Sequence, residues 1–170
     1  ELAAMLVENA DEPYADAIAA AIWKRRKSGY SIDTTRQLAE TVESALAFLP
    51  QKERKDAVRK ACQRTFQALR IAVNSELDQL SQCLDTAFDC LNPGGRFVIL
   101  TFHSLEDRMV KQKFAGYCQG CTCPPEFPVC VCGKKPRAKL INRKPIEADA
   151  EELAQNSRSK SAKLRILEKL

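Results

Sequence analysis

The chain has 170 residues, 45% hydrophobic and 29% charged, with a formal net charge of +5; this suits a soluble globular protein of one domain, or one domain with a small appendage. Its longest apolar runs, 97–100 and 17–23, fall far short of the roughly 20 residues of a membrane helix, and residues 1–15 lack the basic start of a signal peptide. The chain therefore reads as cytoplasmic, without a membrane partner.

Residues 1–61 read as helical throughout. Around "DEPYADAIAAAIWKRRKSG" the apolar side chains of Tyr14, Ile18 and Ile22 share one face, and Arg25, Arg26 and Lys27 fill the last turn before Gly29. A second helix starts at Thr34, where Gln37 completes a capping box, and keeps Leu38, Val42, Ala45 and Leu49 inward until Pro50. The polar stretch 51–60 reads as a link. The longest periodic segment, "RTFQALRIAVNSELDQLSQCLDTAFDCL", spaces Phe66, Leu69, Val73, Leu77, Leu80, Leu84, Phe88 and Leu91 three and four apart. It stops at Asn92-Pro93-Gly94-Gly95, where proline and glycine end a helix.

The unbroken apolar run from Arg96 to Phe102 then suits a parallel strand covered on both faces. A helix follows through Leu105, Met109, Val110 and Phe114, with Ser104 placed to cap it and Asp107 in its first turn. Next come a cysteine-rich loop at 118–133, a strand around 138–143, a polar helical piece around 148–155 and a last strand around 162–168. Helix, glycine turn, buried strand and helix make part of a doubly wound α/β sheet. Ligands of such sheets collect beyond the carboxyl ends of the strands, where "FHSLED" (102–107) falls. That cluster, with the chain's one histidine, reads either as one wall of a site or as a helix cap.

"RTFQALRIAVNSEL" (64–77), "LNPGGR" (91–96), "TFHSLEDRMVK" (101–111) and "NSRSKSAKLRILEK" (156–169) closely resemble, in order and over nearly the whole chain, the bacterial RsmH (MraW) family. The resemblance implies a methyltransferase that uses S-adenosylmethionine to methylate N4 of a cytidine in small-subunit (16S) ribosomal RNA. It implies a class I, Rossmann-like sheet of which residues 62–170 are the C-terminal part, preceded by an inserted all-helical domain at residues 1–61. It also places the cofactor half before Glu1, since none of the six glycines (29, 94, 95, 116, 120, 133) forms a G-x-G-x-x-G; on that expectation the 170 residues alone are inactive. "RKACQ" stands before Arg64, where the family would show His-Pro-Ala.

Cytosine N4 is a poor nucleophile because its lone pair is delocalised into the ring. A site helps by accepting hydrogen bonds from the amino group, positioning it and taking its proton. The resemblance thus makes Glu106 and Asp107 candidate acceptors, with Ser104 and His103 as positioning groups. Arg108 and Lys111 follow on the same helix as phosphate contacts or as surface charge.

Arg64, Gln67, Arg70 and Asn74 form a polar stripe on the long helix. It suits phosphate and ribose contacts, or an exposed face paired with Glu76 or Asp78. Positive charge concentrates at the C-terminal end, where 134–170 hold 11 Lys and Arg against 5 Asp and Glu. Arg158, Lys160, Lys163 and Arg165 are the tail's RNA candidates, a solvated basic face being the alternative. The partner expected is small-subunit ribosomal RNA or the small subunit itself. A non-catalytic RNA-binding or assembly module is the rival reading.

Five of the eight cysteines fall within 118–132. In a chain without signs of secretion they read as reduced thiols. The two C-x-C pairs, Cys121 with Cys123 and Cys130 with Cys132, offer four thiolates to a tetrahedral zinc, with Cys118 as a spare; free thiols are the alternative, and an iron–sulfur cluster a poorer one.

Overall fold

The computed structural model describes residues 1–124, 129 and 131–170. They form two compact units, Glu1–Glu76 and Leu77–Leu170.

The first unit holds four helices: α1 (Leu2–Ala10), α2 (Ala15–Lys27), α3 (Thr35–Ala45) and α4 (Gln51–Asn74). The expected capping box is present, with Thr34 Oγ1 accepting from Gln37 N and Gln37 Oε1 accepting from Thr34 N. The core gathers Leu6, Ala10, Ile18, Val42, Leu46, Ala61 and Ala68. Stretch 51–60 proves to be the first half of α4 rather than a link: Pro50 precedes its first residue, and the carbonyl of Pro50 accepts from Glu53 N and Arg54 N. The unit therefore runs past residue 61, because Ala61, Thr65, Ala68 and Ile71 are the side chains that α4 buries.

The long apolar seam expected over 64–91 is broken at Ser75, whose φ of 51° is left-handed and ends α4. The break shifts the buried face: Val73, expected inward, is 82% exposed. A second helix, α5 (Glu76–Cys90), carries the rest of the seam and buries Leu84 and Phe88.

The second unit packs α5 and α6 (Ser104–Cys118) against a three-stranded sheet of β1 (Arg96–Thr101), β2 (Ala138–Leu140) and β3 (Lys163–Lys169), in the order β1-β3-β2. A short helix, α7 (Ala150–Gln155), and a 3-10 turn at Ser157–Ser161 precede β3. Helix and sheet elements alternate in this unit as the α/β reading expects. However, both described pairings are antiparallel, with Arg96 opposite Glu168 and Thr101 opposite Lys163, so the parallel neighbour expected for β1 is not among them. The turn at Gly94 (φ 79°) clamps onto the end of β3, Gly94 N donating to Lys169 O at 2.8 Å and Lys169 N to Gly95 O at 2.9 Å.

One sheet face covers the core, where Leu167, Phe97 and Ile99 meet Val110 and Phe114. Val98 and Leu100, on the other face, are 50% and 52% exposed. An apolar run that suited two covered faces has, among the described residues, one.

Phe88 anchors this unit. Its buried ring stacks on Tyr117 with centroids 4.0 Å apart, and the Arg137 and Lys169 cations lie 4.8 and 5.2 Å from its centroid. Phe88→Ala is expected to destabilise the second unit by about 3–5 kcal/mol, read as a lowered urea midpoint; a loss under about 1 kcal/mol would mean that the ring is not the anchor.

Candidate functional site at the carboxyl end of β1

Chain direction alone brings Phe102 to Asp107 to the carboxyl end of β1, since α6 begins at Ser104. The cap is His103 rather than Ser104 as expected: its extended backbone (φ −135°, ψ 161°) puts it one residue before the helix. His103 Nδ1 accepts from Glu106 N at 3.4 Å, and Glu106 Oε2 accepts from Phe102 N at 2.9 Å and His103 N at 3.3 Å. Accepting at Nδ1 puts the proton of the neutral ring on Nε2, which lies 3.1 Å from Glu106 Oε1. Both ring nitrogens thus face groups of the same turn, which suits a positioning role.

Burial raises the Glu106 carboxyl, but the His103 ring and the Phe102 and His103 N–H groups more than offset it and bring its pKa down to about 2. Glu106 therefore stands here as a carboxylate.

Asp107 points the other way. Its Oδ1 accepts from Arg165 Nε at 2.6 Å and its Oδ2 from Arg165 Nη2 at 2.9 Å, and both residues are 8% exposed. This two-pronged pair fastens the first turn of α6 to β3. The Arg165 guanidinium is the main cause that holds the Asp107 carboxyl below its usual range; burial opposes it, and Lys163 and Lys111 add to it. Lys163 Nζ lies 3.9 Å from both Asp107 Oδ2 and Glu147 Oε1.

What the cluster leaves outward is Ser104, Arg108 and the ring of Phe102, which is 55% exposed. Phe102 was not among the sequence-derived candidates. The signal for it was the alternation of a sheet with one covered face, which the unbroken apolar run 97–100 concealed.

The basic tail splits. Arg158 and Lys160 are exposed on the 3-10 turn, Lys163 is half-buried beside Asp107, and Arg165 is inside the cluster. Arg165, expected on an RNA-facing surface, gives both of its described hydrogen bonds to a buried carboxylate instead. Lys111 is exposed on α6.

The polar stripe of α4 lies in the other unit. Gln67 Nε2 donates to Asn9 O at 3.3 Å, Arg64 Nη1 is 3.9 Å from the buried Glu12, and Arg70 Nε and Asn74 Nδ2 both donate to Glu76 Oε1. Gln67 ties α4 to α1, and Arg70 and Asn74 hold Glu76 just past the end of α4, which gives their polarity a place within the unit.

In the cysteine loop, the Sγ atoms of Cys121, Cys123 and Cys132 all lie within 4.8 Å of one another, those of Cys121 and Cys132 at 3.6 Å. Cys130, the fourth expected ligand, lies outside the described residues. Cys118, the expected spare, packs against the core, where burial raises its thiol pKa.

The one glycine pair, Gly94-Gly95, opens a strand, and a Cβ on Gly95 would stand 2.8 Å from Asn92 O, so that glycine serves the turn's own close packing rather than the approach of a ligand. No described helix is long and apolar enough to cross a membrane.

The model of a family described as the MraW methylase family matches residues 1–170. The chain is similar to proteins called ribosomal RNA small subunit methyltransferase H: 48% identical over all of its length to that of Finegoldia magna, of which it covers 53%; 51% identical over 94% of its length to that of Oleidesulfovibrio alaskensis, of which it covers 48%; and 47% identical over all of its length to that of a Paenibacillus species, of which it covers 52%. The chain spans about half the length of the curated relatives it matches.

The buried pair generates a pH prediction. A carboxylate with a lowered folded-state pKa contributes stability that is present above its ordinary value of about 4 and is lost as pH falls through the lowered value. The second unit should therefore lose stability in acid below about pH 4, through Asp107 and also through Glu106. Asp107→Asn should cost on the order of 3 kcal/mol at pH 7, because Arg165 is left buried without its counter-charge, and should flatten that acid limb. Urea midpoints from pH 7 to pH 3 that run parallel in the two proteins would refute it.

Proposed function

Because the chain belongs to the MraW methylase family, we propose that it is the substrate-side part of a methyltransferase that transfers a methyl group from S-adenosylmethionine to N4 of a cytidine in small-subunit ribosomal RNA. The observation that carries the reading is the match over every residue of the chain, "FHSLEDR" included. The apolar sheet face at Val98 and Leu100, about half-exposed among the described residues, is in keeping with further packing on that face in a full-length enzyme.

The chemistry asked of the chain's own residues is to receive the cytosine and orient its amino group. Phe102 offers an exposed ring at the strand end on which a flipped base can stack. Ser104 lies outward beside it, and Glu106 Oε1 has lone-pair capacity beyond its His103 neighbour with which to accept from N4–H. As that nitrogen gains its methyl it becomes acidic, and a carboxylate in hydrogen-bond reach is the natural proton acceptor. His103 fixes Glu106 through the capping box. Asp107 acts through Arg165, holding the turn against β3. Arg158, Lys160, Lys163, Arg108 and Lys111 supply positive charge for the RNA backbone, while Arg64, Gln67, Arg70 and Asn74 order the helical unit itself.

In a full-length enzyme, Glu106→Gln and Asp107→Asn are expected to lower turnover at saturating RNA on the order of a hundredfold while changing RNA affinity by less than about threefold, since neither supplies a backbone-binding cation. Unchanged turnover in both would remove them from the site.

The thiols of Cys121, Cys123 and Cys132, with Cys130 as the fourth ligand expected from the sequence, hold a structural zinc in this reading. Zinc–sulfur bonds of about 2.3 Å place tetrahedral sulfurs about 3.8 Å apart, close to the 3.6 Å between Cys121 and Cys132. Such a metal would stiffen the loop that leads to Lys134, Lys135 and Arg137. Protein purified without chelator should contain about one zinc per chain, and Cys121→Ser should lower that occupancy; a fully folded, metal-free protein would refute the site.

A further inference from the structure

The helical unit carries a cluster that the site at β1 does not use. Trp23, the chain's one tryptophan, is 62% exposed on the last turn of α2. Lys27 Nζ stands 4.7 Å from its ring centroid, Lys24 and Arg26 are exposed on the same turn, and Tyr30, three residues beyond, is 69% exposed. Arg25 alone of the four cations turns inward, donating to Thr41 Oγ1 at 3.0 Å and Gln37 O at 3.3 Å. Lys24 and Arg26 have no carboxylate partner among the described residues. Beside Trp23 opens a depression of about 940 Å³ bordered by Leu2, Ala19, Ile22 and Arg26, with Glu1 its one acid.

A buried position would explain a tryptophan on α2, but Ala15 and Ile18 are the residues this helix buries. Three exposed cations at a helix end satisfy the dipole, yet that role does not call for an exposed indole among them. We propose that this patch is a second RNA-contacting surface, on which Trp23 stacks an unpaired base while Lys24, Arg26 and Lys27 bind the flanking phosphates. A ring 62% exposed cannot have both faces covered, so Lys27 on one face leaves the other for a base. Aromatic and cationic side chains on one turn are the arrangement by which single-stranded RNA is held without sequence readout. A membrane surface fits less well, because the apolar stripe that would lie in the interface is spent in the core. The inference rests on the ribosomal RNA reading for its class of partner and adds a site some way along the chain from the reacting end.

The indole is its own reporter. Titrating the chain with a single-stranded oligoribonucleotide is expected to quench Trp23 emission, with the same Kd as an anisotropy measurement. Trp23→Ala should weaken binding about tenfold and Trp23→Phe much less, as stacking on a ring requires. Lys24→Ala and Arg26→Ala should each reduce the slope of log K against log salt by about 0.7. These side chains are exposed, so circular dichroism melts should match the parent chain. No RNA binding, RNA binding with undiminished affinity in Trp23→Ala, or equal quenching by inorganic polyphosphate would overturn the proposal, as would an emission shift on anionic vesicles but not on RNA. If Trp23→Ala binds RNA normally while a full-length enzyme still methylates cytidine, the patch fails and the function stands; the reverse pattern separates the two the other way.

Discussion

The second unit turns on one buried ion pair. Asp107 and Arg165 lie 58 residues apart in sequence, and their two hydrogen bonds of 2.6 and 2.9 Å join the first turn of α6 to the middle of β3. Removing either charge strands the other in a poorly solvated site, so the pair fixes where α6 starts relative to the sheet. Everything at the carboxyl end of β1 follows from that start: His103 becomes the cap, Glu106 reaches back to the Phe102 and His103 backbone, and Ser104 and Phe102 are left facing outward.

A helix cap and a substrate wall were alternative readings of "HSLED"; the folded chain has the cap, and it orders the residues on which the proposed wall rests. The capping box holds Glu106 ionised with one oxygen committed to the backbone, and both Asp107 oxygens are engaged by Arg165. Under the function proposed above, a cytosine would meet an exposed ring, a hydroxyl and one carboxylate oxygen, held in place by the groups behind them.

Local signals in the sequence were read well. Thr34 and Gln37 made their capping box, Gly29 and Gly94 stand past helix ends as expected, and the ends of β3 and α7 fell within two residues of their expected positions. Two local features differ, the cap at His103 in place of Ser104 and the helix over 51–60; the other differences are non-local. Ser75 carries no glycine-like signature, so the break between α4 and α5 and the shift of the buried face to Ala61, Thr65, Ala68 and Ile71 were hidden in a continuous periodicity. Arg165 looked like one of four tail cations; only the pairing of β3 with β1 shows that it faces Asp107, and a strand's partner is not written in its own residues. The unbroken apolar run of β1 implied two covered faces where the described residues cover one, and Phe102 was overlooked for the same reason.

The account makes Arg165 a strut of the reacting end rather than a hand on the RNA, and that is its most exposed claim. Methyl transfer by a full-length enzyme carrying Arg165→Met, at a temperature where it remains folded, tests it directly. The account predicts that turnover at saturating ribosomal RNA falls on the order of a hundredfold, the scale of a misplaced catalytic group, with RNA affinity and its salt dependence nearly unchanged. Weakened RNA binding with a reduced salt slope, and normal turnover once RNA is saturating, would contradict it.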